Sequence, residues 1–128
     1  MTDRPVTTLK ERTRGGKTTK LIHQLTDYAL NQTGKYRDVL LVAATGQEAM
    51  YILAHVLVDA QPHASYVKRT GLLKLQIERV HFTAVTVRGV NPGHRPNSVW
   101  MTGAALAALA RGYCHLNGWP NPINGKGE

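Results

Sequence analysis

Arg12-Thr13-Arg14-Gly15-Gly16-Lys17-Thr18-Thr19-Lys20-Leu21 is the stretch on which the reading of this chain turns. Basic residues give way to two glycines, then Gly-Lys-Thr, then a helical pattern. A phosphate-binding loop is written this way. Glycines let backbone N–H groups turn toward an anion, and the helix start adds partial positive charge. Lysine reaches the terminal phosphates, and threonine offers a hydroxyl to magnesium. The full G-x-x-x-x-G-K-[ST] fingerprint needs glycine at position 11, where Glu11 stands, so only its second half is present. A glycine turn that merely caps a helix would be written the same way.

Outward from that stretch, the apolar positions Leu21, Ile22, Leu25, Tyr28 and Ala29 recur with a period near 3.6, which predicts a helix from Lys17 with one buried face. Asn31-Gln32-Thr33-Gly34 ends it, glycine being a common helix terminator. Pro5–Leu9 is short and rich in β-branched residues, a weak strand feeding the loop. Val39-Leu40-Leu41-Val42-Ala43 is a continuous apolar run of strand length, the pattern of a parallel strand covered on both faces. Thr45-Gly46 opens a second helix, from Gln47 to about Val58, with an apolar face of Met50, Tyr51, Leu53, Ala54 and Leu57.

Asp59–Gly71, polar and containing Pro62, reads as a loop or irregular edge, and Leu72–Ile77 as a strand or short helix. Arg79–Arg88 alternates, with Val80, Phe82 and Ala84 on one side, and predicts a strand. Residues 89–97 form a loop rich in turn residues, and Ser98–Met101 a short strand. Thr102 caps a helix over Gly103–Arg111 that Gly112 ends. The expected fold is α/β, three-layered, with a mainly parallel sheet. Residues 1–115 form the single domain, and 116–128, rich in Asn, Pro and Gly, a flexible or surface-extended tail.

Bulk composition narrows the function classes. The chain of 128 residues has ordinary hydrophobic content and 16 Lys+Arg against 8 Asp+Glu, a formal charge of +8. That balance favours polyanionic partners. Six of the sixteen (Arg4, Lys10, Arg12, Arg14, Lys17, Lys20) lie where a phosphate site would itself want them. The single Cys114 rules out an intramolecular disulfide and suits a reducing, cytoplasmic setting. No apolar run approaches the ~20 residues of a membrane span. Six histidines without short paired spacing argue against zinc, no nucleophile-elbow serine is present, and nothing indicates haem.

In chain order the pieces are a phosphate loop and helix, an apolar strand ending in Ala-Ala-Thr-Gly, a helix, a strand, an Arg88-Gly89 turn, a short apolar strand and a small-residue helix. Over roughly residues 5–112 this order resembles the N-terminal part of the RecA-like ATPase core of phage large terminases and related helicases. Arg14-Gly15-Gly16-Lys17-Thr18 looks like that family's variant phosphate loop, and Val39–Thr45 like its second strand. The resemblance implies that Arg14, Gly15, Gly16, Lys17, Thr18 and Thr19 hold the phosphates of ATP or ADP, with Thr18 on magnesium. The family then writes an apolar strand followed by Asp-Glu. Here Ser98–Met101 is followed by Thr102-Gly103, so the metal-holding aspartate and the water-activating glutamate are both replaced. None of the eight acidic residues is expected to follow a core strand's C-terminal end.

Phosphoryl transfer needs the metal bridge and an oriented nucleophile, and loss of a general base alone lowers the rate by about 10²–10⁴. The expectation is therefore a phage-type, catalytically reduced ATPase-like protein that binds a nucleotide or phosphate with little or no hydrolysis. Two other classes fit the same residues. One is a small non-enzymatic interaction protein that binds a host or phage protein or self-associates, with Arg12 and Trp119 as contacts. The other is a basic nucleic-acid-binding module.

Overall fold

The computed structural model describes residues 16–32, 35–90 and 95–112. Three helices and five strands follow one another as α1 (Gly16–Leu30), β1 (Arg37–Ala43), α2 (Gly46–Ala60), β2 (Val67–Gly71), β3 (Lys74–Ile77), β4 (Val80–Thr86), β5 (Ser98–Met101) and α3 (Gly103–Ala110). The strands form one sheet in the order β2-β3-β4-β1-β5.

The apolar run in β1 occupies the position that its composition demands. β1 pairs in parallel with β4 on one side and β5 on the other, and Val39 to Ala43 are all buried. On the first sheet face, Val39, Leu41, Phe82, Leu75, Ile77 and Trp100 pack under Leu21, Leu25 and Ala29 of α1 and Ile52, Leu53 and Val56 of α2. On the second face, Leu40, Val42, Val99 and Met101 pack with Ala105 of α3. Each fully buried Leu, Ile, Val or Phe side chain contributes about 1.5–3 kcal/mol by removal from water. β4 alternates buried and half-buried, because only its first face, with Val80, Phe82 and Ala84, is covered by helix.

The α/β expectation holds, and the core of the sheet is parallel as expected at β1–β4 and β1–β5, but the sheet as a whole is mixed, because β2–β3 and β3–β4 are antiparallel. Asp59–Gly71, read as a loop or irregular edge, contains the end of α2, a short loop and all of β2, which is an edge strand with a register shift between Arg69 and Gly71. β2 reads as a loop because it is an edge strand: Val67 is half-buried while Lys68, Arg69 and Thr70 face solvent, so no apolar alternation marks it. Leu72–Ile77, left between strand and helix, is the tip of the β2–β3 hairpin followed by β3. The tight β3–β4 turn puts Glu78 at φ 54°, a conformation rare for a residue with a side chain. Its N–H donates to Tyr66 O and its carboxylate accepts from Ser65 N, which holds the turn in place.

The buried face of α2 is also rotated from the expected one. Ala49, Ile52, Leu53, Val56 and Ala60 are buried, whereas Tyr51 is 49% exposed and stacks against His55. Leu53 alone belongs to both sets. In α1 the expected face holds, with Leu21, Ile22, Leu25 and Ala29 buried and Tyr28 edge-on to Trp100. Among the described residues no helix is long and apolar enough to cross a membrane. Pro5–Leu9 and the tail 116–128 lie outside the described residues.

Candidate phosphate site at the carboxyl edge of the sheet

Three helices start toward the same edge. α2 begins three residues after β1 ends, and α3 two residues after β5 ends, so both N-termini sit at the carboxyl edge of the parallel strands. His23 Nδ1 of α1 lies 2.9 Å from Asp59 Oδ2 of α2. Asp27 and His63, each four residues further on, line one cleft. The two helices therefore run side by side in the same direction, and α1 directs its N-terminus toward that edge. Helix N-termini at the carboxyl edge of parallel strands, here those of α2 and α3 with α1 running toward them, are the arrangement in which open α/β sheets take anions.

Gly16 is the first residue of α1, and Lys17, Thr18 and Thr19 follow within its first turn. Thr19 is exposed. Arg12, Arg14, Gly15, Cys114 and Trp119 lie outside the described residues.

The ends of β1 and β5 are joined by a small hydrogen-bond cluster. Thr45 is the N-cap of α2, with φ −134° and ψ 161°, and its hydroxyl accepts from Glu48 N at 3.1 Å. Glu48 Oε1 accepts from Ala44 N at 2.8 Å and from the Thr102 hydroxyl at 3.1 Å. Thr102 in turn caps α3, its Oγ1 accepting from Ala105 N at 3.1 Å. Thr102 N donates to Val42 O, which continues the β1–β5 ladder into the cap.

Glu48 overturns one expectation. The sequence suggested that no acidic residue follows the end of a core strand, yet the Glu48 carboxylate sits against the ends of both β1 and β5. The physical reason is capping geometry: the third residue of a helix can reach back across the first turn to backbone N–H groups before it. Thr45-Gly46-Gln47-Glu48 carries the T-x-x-E signature, so the signal was present in the sequence. Thr102 does stand at the end of β5 as expected, and its hydroxyl is engaged by both Glu48 and Ala105.

Among the described residues no group of three or more His, Cys, Asp or Glu side chains is placed to hold a metal ion. That concerns metal held by the protein alone and not magnesium carried by a nucleotide. No protein-family model matches the chain, and no curated protein or solved structure is significantly similar to it.

Proposed function

We propose that the chain is a catalytically reduced, P-loop-like protein that binds a nucleotide or phosphate at the N-terminus of α1 and turns it over slowly or not at all. The observation that carries this reading is the placement of Gly16-Lys17-Thr18-Thr19 in the first turn of a helix that points to the carboxyl edge of β1 and β5. Its backbone N–H groups and partial positive charge suit a phosphate there. Arg14, Gly15 and Gly16 would wrap the anion, Lys17 would reach the terminal phosphates, and Thr18 would meet a magnesium ion carried by the nucleotide.

Weak hydrolysis follows from the residues at the strand ends. Thr102 stands where a metal-holding carboxylate would be needed, and its hydroxyl is tied to Glu48. Glu48 brings a carboxylate to this edge, but Oε1 is engaged by Ala44 N and the Thr102 hydroxyl. A phage origin belongs to the same proposal through the resemblance to terminases.

Calorimetric titration of ATP and ADP, with and without magnesium, into the wild type and Lys17→Ala tests it. The expected result is nucleotide binding that depends on Lys17, with phosphate release near background. Absence of binding would overturn the proposal, and so would robust turnover abolished by Lys17→Ala.

A further inference from the structure

The second sheet face is only half covered by described helix. α3 packs over β1 and β5. Across β2, β3 and β4 the same face presents Lys68, Gln76 and His81 in one cross-strand row, which Asp38 of β1 completes. Lys74 lies in the next row, opposite Thr83. Tyr36 stands just before β1 and is 57% exposed. Its ring lies over His81 with centroids 4.9 Å apart and planes tilted by 40°, and its hydroxyl donates to Asp38 Oδ1 at 3.0 Å.

Two lysines and one carboxylate, Asp38, mark this face. Lys68 and Lys74 are both exposed, and among the described residues neither meets a carboxylate. No acidic residue occurs between Ser65 and Ile77. Asp38, the acid within the row, already accepts from the Tyr36 hydroxyl.

We propose that this face binds a single strand of nucleic acid, with a base stacked on the Tyr36–His81 pair and neighbouring phosphates against Lys68 and Lys74. An exposed ring on a sheet face offers a stacking platform to any base, since every base has a π-face. Lys68 lies two strands from His81, about 10 Å at the usual strand spacing. A lysine side chain extending from there meets the backbone beside a base held on the rings. Gln76, between them, donates from its amide nitrogen to Glu78 O at 2.8 Å, which leaves its amide oxygen as an acceptor for a base edge. A duplex keeps its bases stacked inside and cannot offer one to Tyr36. The surface is separate from the proposed phosphate site, because α1 packs on the opposite sheet face, so either reading can fail alone.

The test is fluorescence anisotropy with labelled oligo-dT, oligo-U and a duplex, each of about 12 units, at ~50 and ~200 mM salt. Single strands are expected to bind more tightly than the duplex, and the two single-strand arms tell DNA from RNA. Lys68→Ala/Lys74→Ala should weaken binding at least tenfold at low salt and reduce the salt slope by about 1.4, two phosphates at ~0.7 each. Tyr36→Ala should weaken it by about tenfold while Tyr36→Phe, which keeps the ring, stays near wild type. Lys20→Ala should bind the oligonucleotides like wild type. Thermal melts by circular dichroism establish that each variant is folded. The proposal is overturned by absence of single-strand binding, by tighter binding of the duplex, by a loss in Lys20→Ala equal to that of the lysine pair, or by unchanged affinity in the lysine pair or Tyr36→Ala.

Discussion

The Thr102 hydroxyl donates to Glu48 Oε1 at 3.1 Å and so fastens the first turn of α2 to the start of α3 across the ends of β1 and β5. Fifty-four residues separate the two, and both belong to helix caps. Each side chain therefore serves its own helix and the other's position at once. Thr102 is 5% exposed, so water cannot readily replace what its hydroxyl does.

Removal of that hydroxyl should cost more than loss of a solvated cap. Thr102→Val is expected to destabilise the fold by about 1–3 kcal/mol, with Thr102→Ser within ~1 kcal/mol of wild type. Urea denaturation midpoints check this, and an unchanged midpoint for Thr102→Val would show that the link carries no stability.

The rotated face of α2 gives a direct comparison of neighbours. Ile52 is fully buried, and Ile52→Ala should destabilise by about 2–5 kcal/mol through lost burial and the cavity left behind. Tyr51, next to it and half exposed, should lose less than ~1 kcal/mol in Tyr51→Ala. Thermal unfolding of the two variants side by side reads the difference, and the reverse ranking would contradict the packing.

At the end of α3, Gly112 holds φ +82° with no described residue within 4 Å of where a Cβ would sit. Gly112→Ala should cost about 1 kcal/mol, from forcing an L-residue into the left-handed region. Gly103→Ala, at an ordinary backbone angle in equally open space, serves as the control and should be neutral or slightly stabilising. Chemical denaturation distinguishes the pair.

The Tyr36 hydroxyl is held above its usual 10.0, first by its hydrogen bond to Asp38, then by desolvation and by the Asp38 charge. A group whose folded pKa is raised contributes stability that is fully present below its unfolded pKa and is lost as pH rises through the folded value. Wild type should thus lose more stability than Tyr36→Phe as pH climbs past about 10. Denaturation of both proteins across that range, compared at each pH, measures the difference. Parallel curves would mean that the bond to Asp38 is too weak to be linked to folding.

Local chemistry wrote much of this fold into the sequence. The period of Leu21, Ile22, Leu25 and Ala29, the apolar run at Val39–Ala43, the alternation of Val80, Phe82 and Ala84, and the Thr102 and Gly112 punctuation of α3 are each settled within a turn or two of chain. Periodicity and capping act over that distance, so they could be read directly. The Gly16-Lys17-Thr18 motif was legible in the same way, as was its position at a helix start. Four features waited for the tertiary structure. β2 became a strand only because β3 pairs with it, since Lys68, Arg69 and Thr70 carry no apolar signature. α2 buried Ile52 and Val56 rather than Tyr51 because its orientation is set by β1, β4 and α1, and its sequence is apolar on several sides. Glu48 reached the end of β5, and Tyr36 came over His81, through contacts between segments distant in the chain. Such contacts depend on which strands lie side by side, and that order is decided by the packing of the whole sheet.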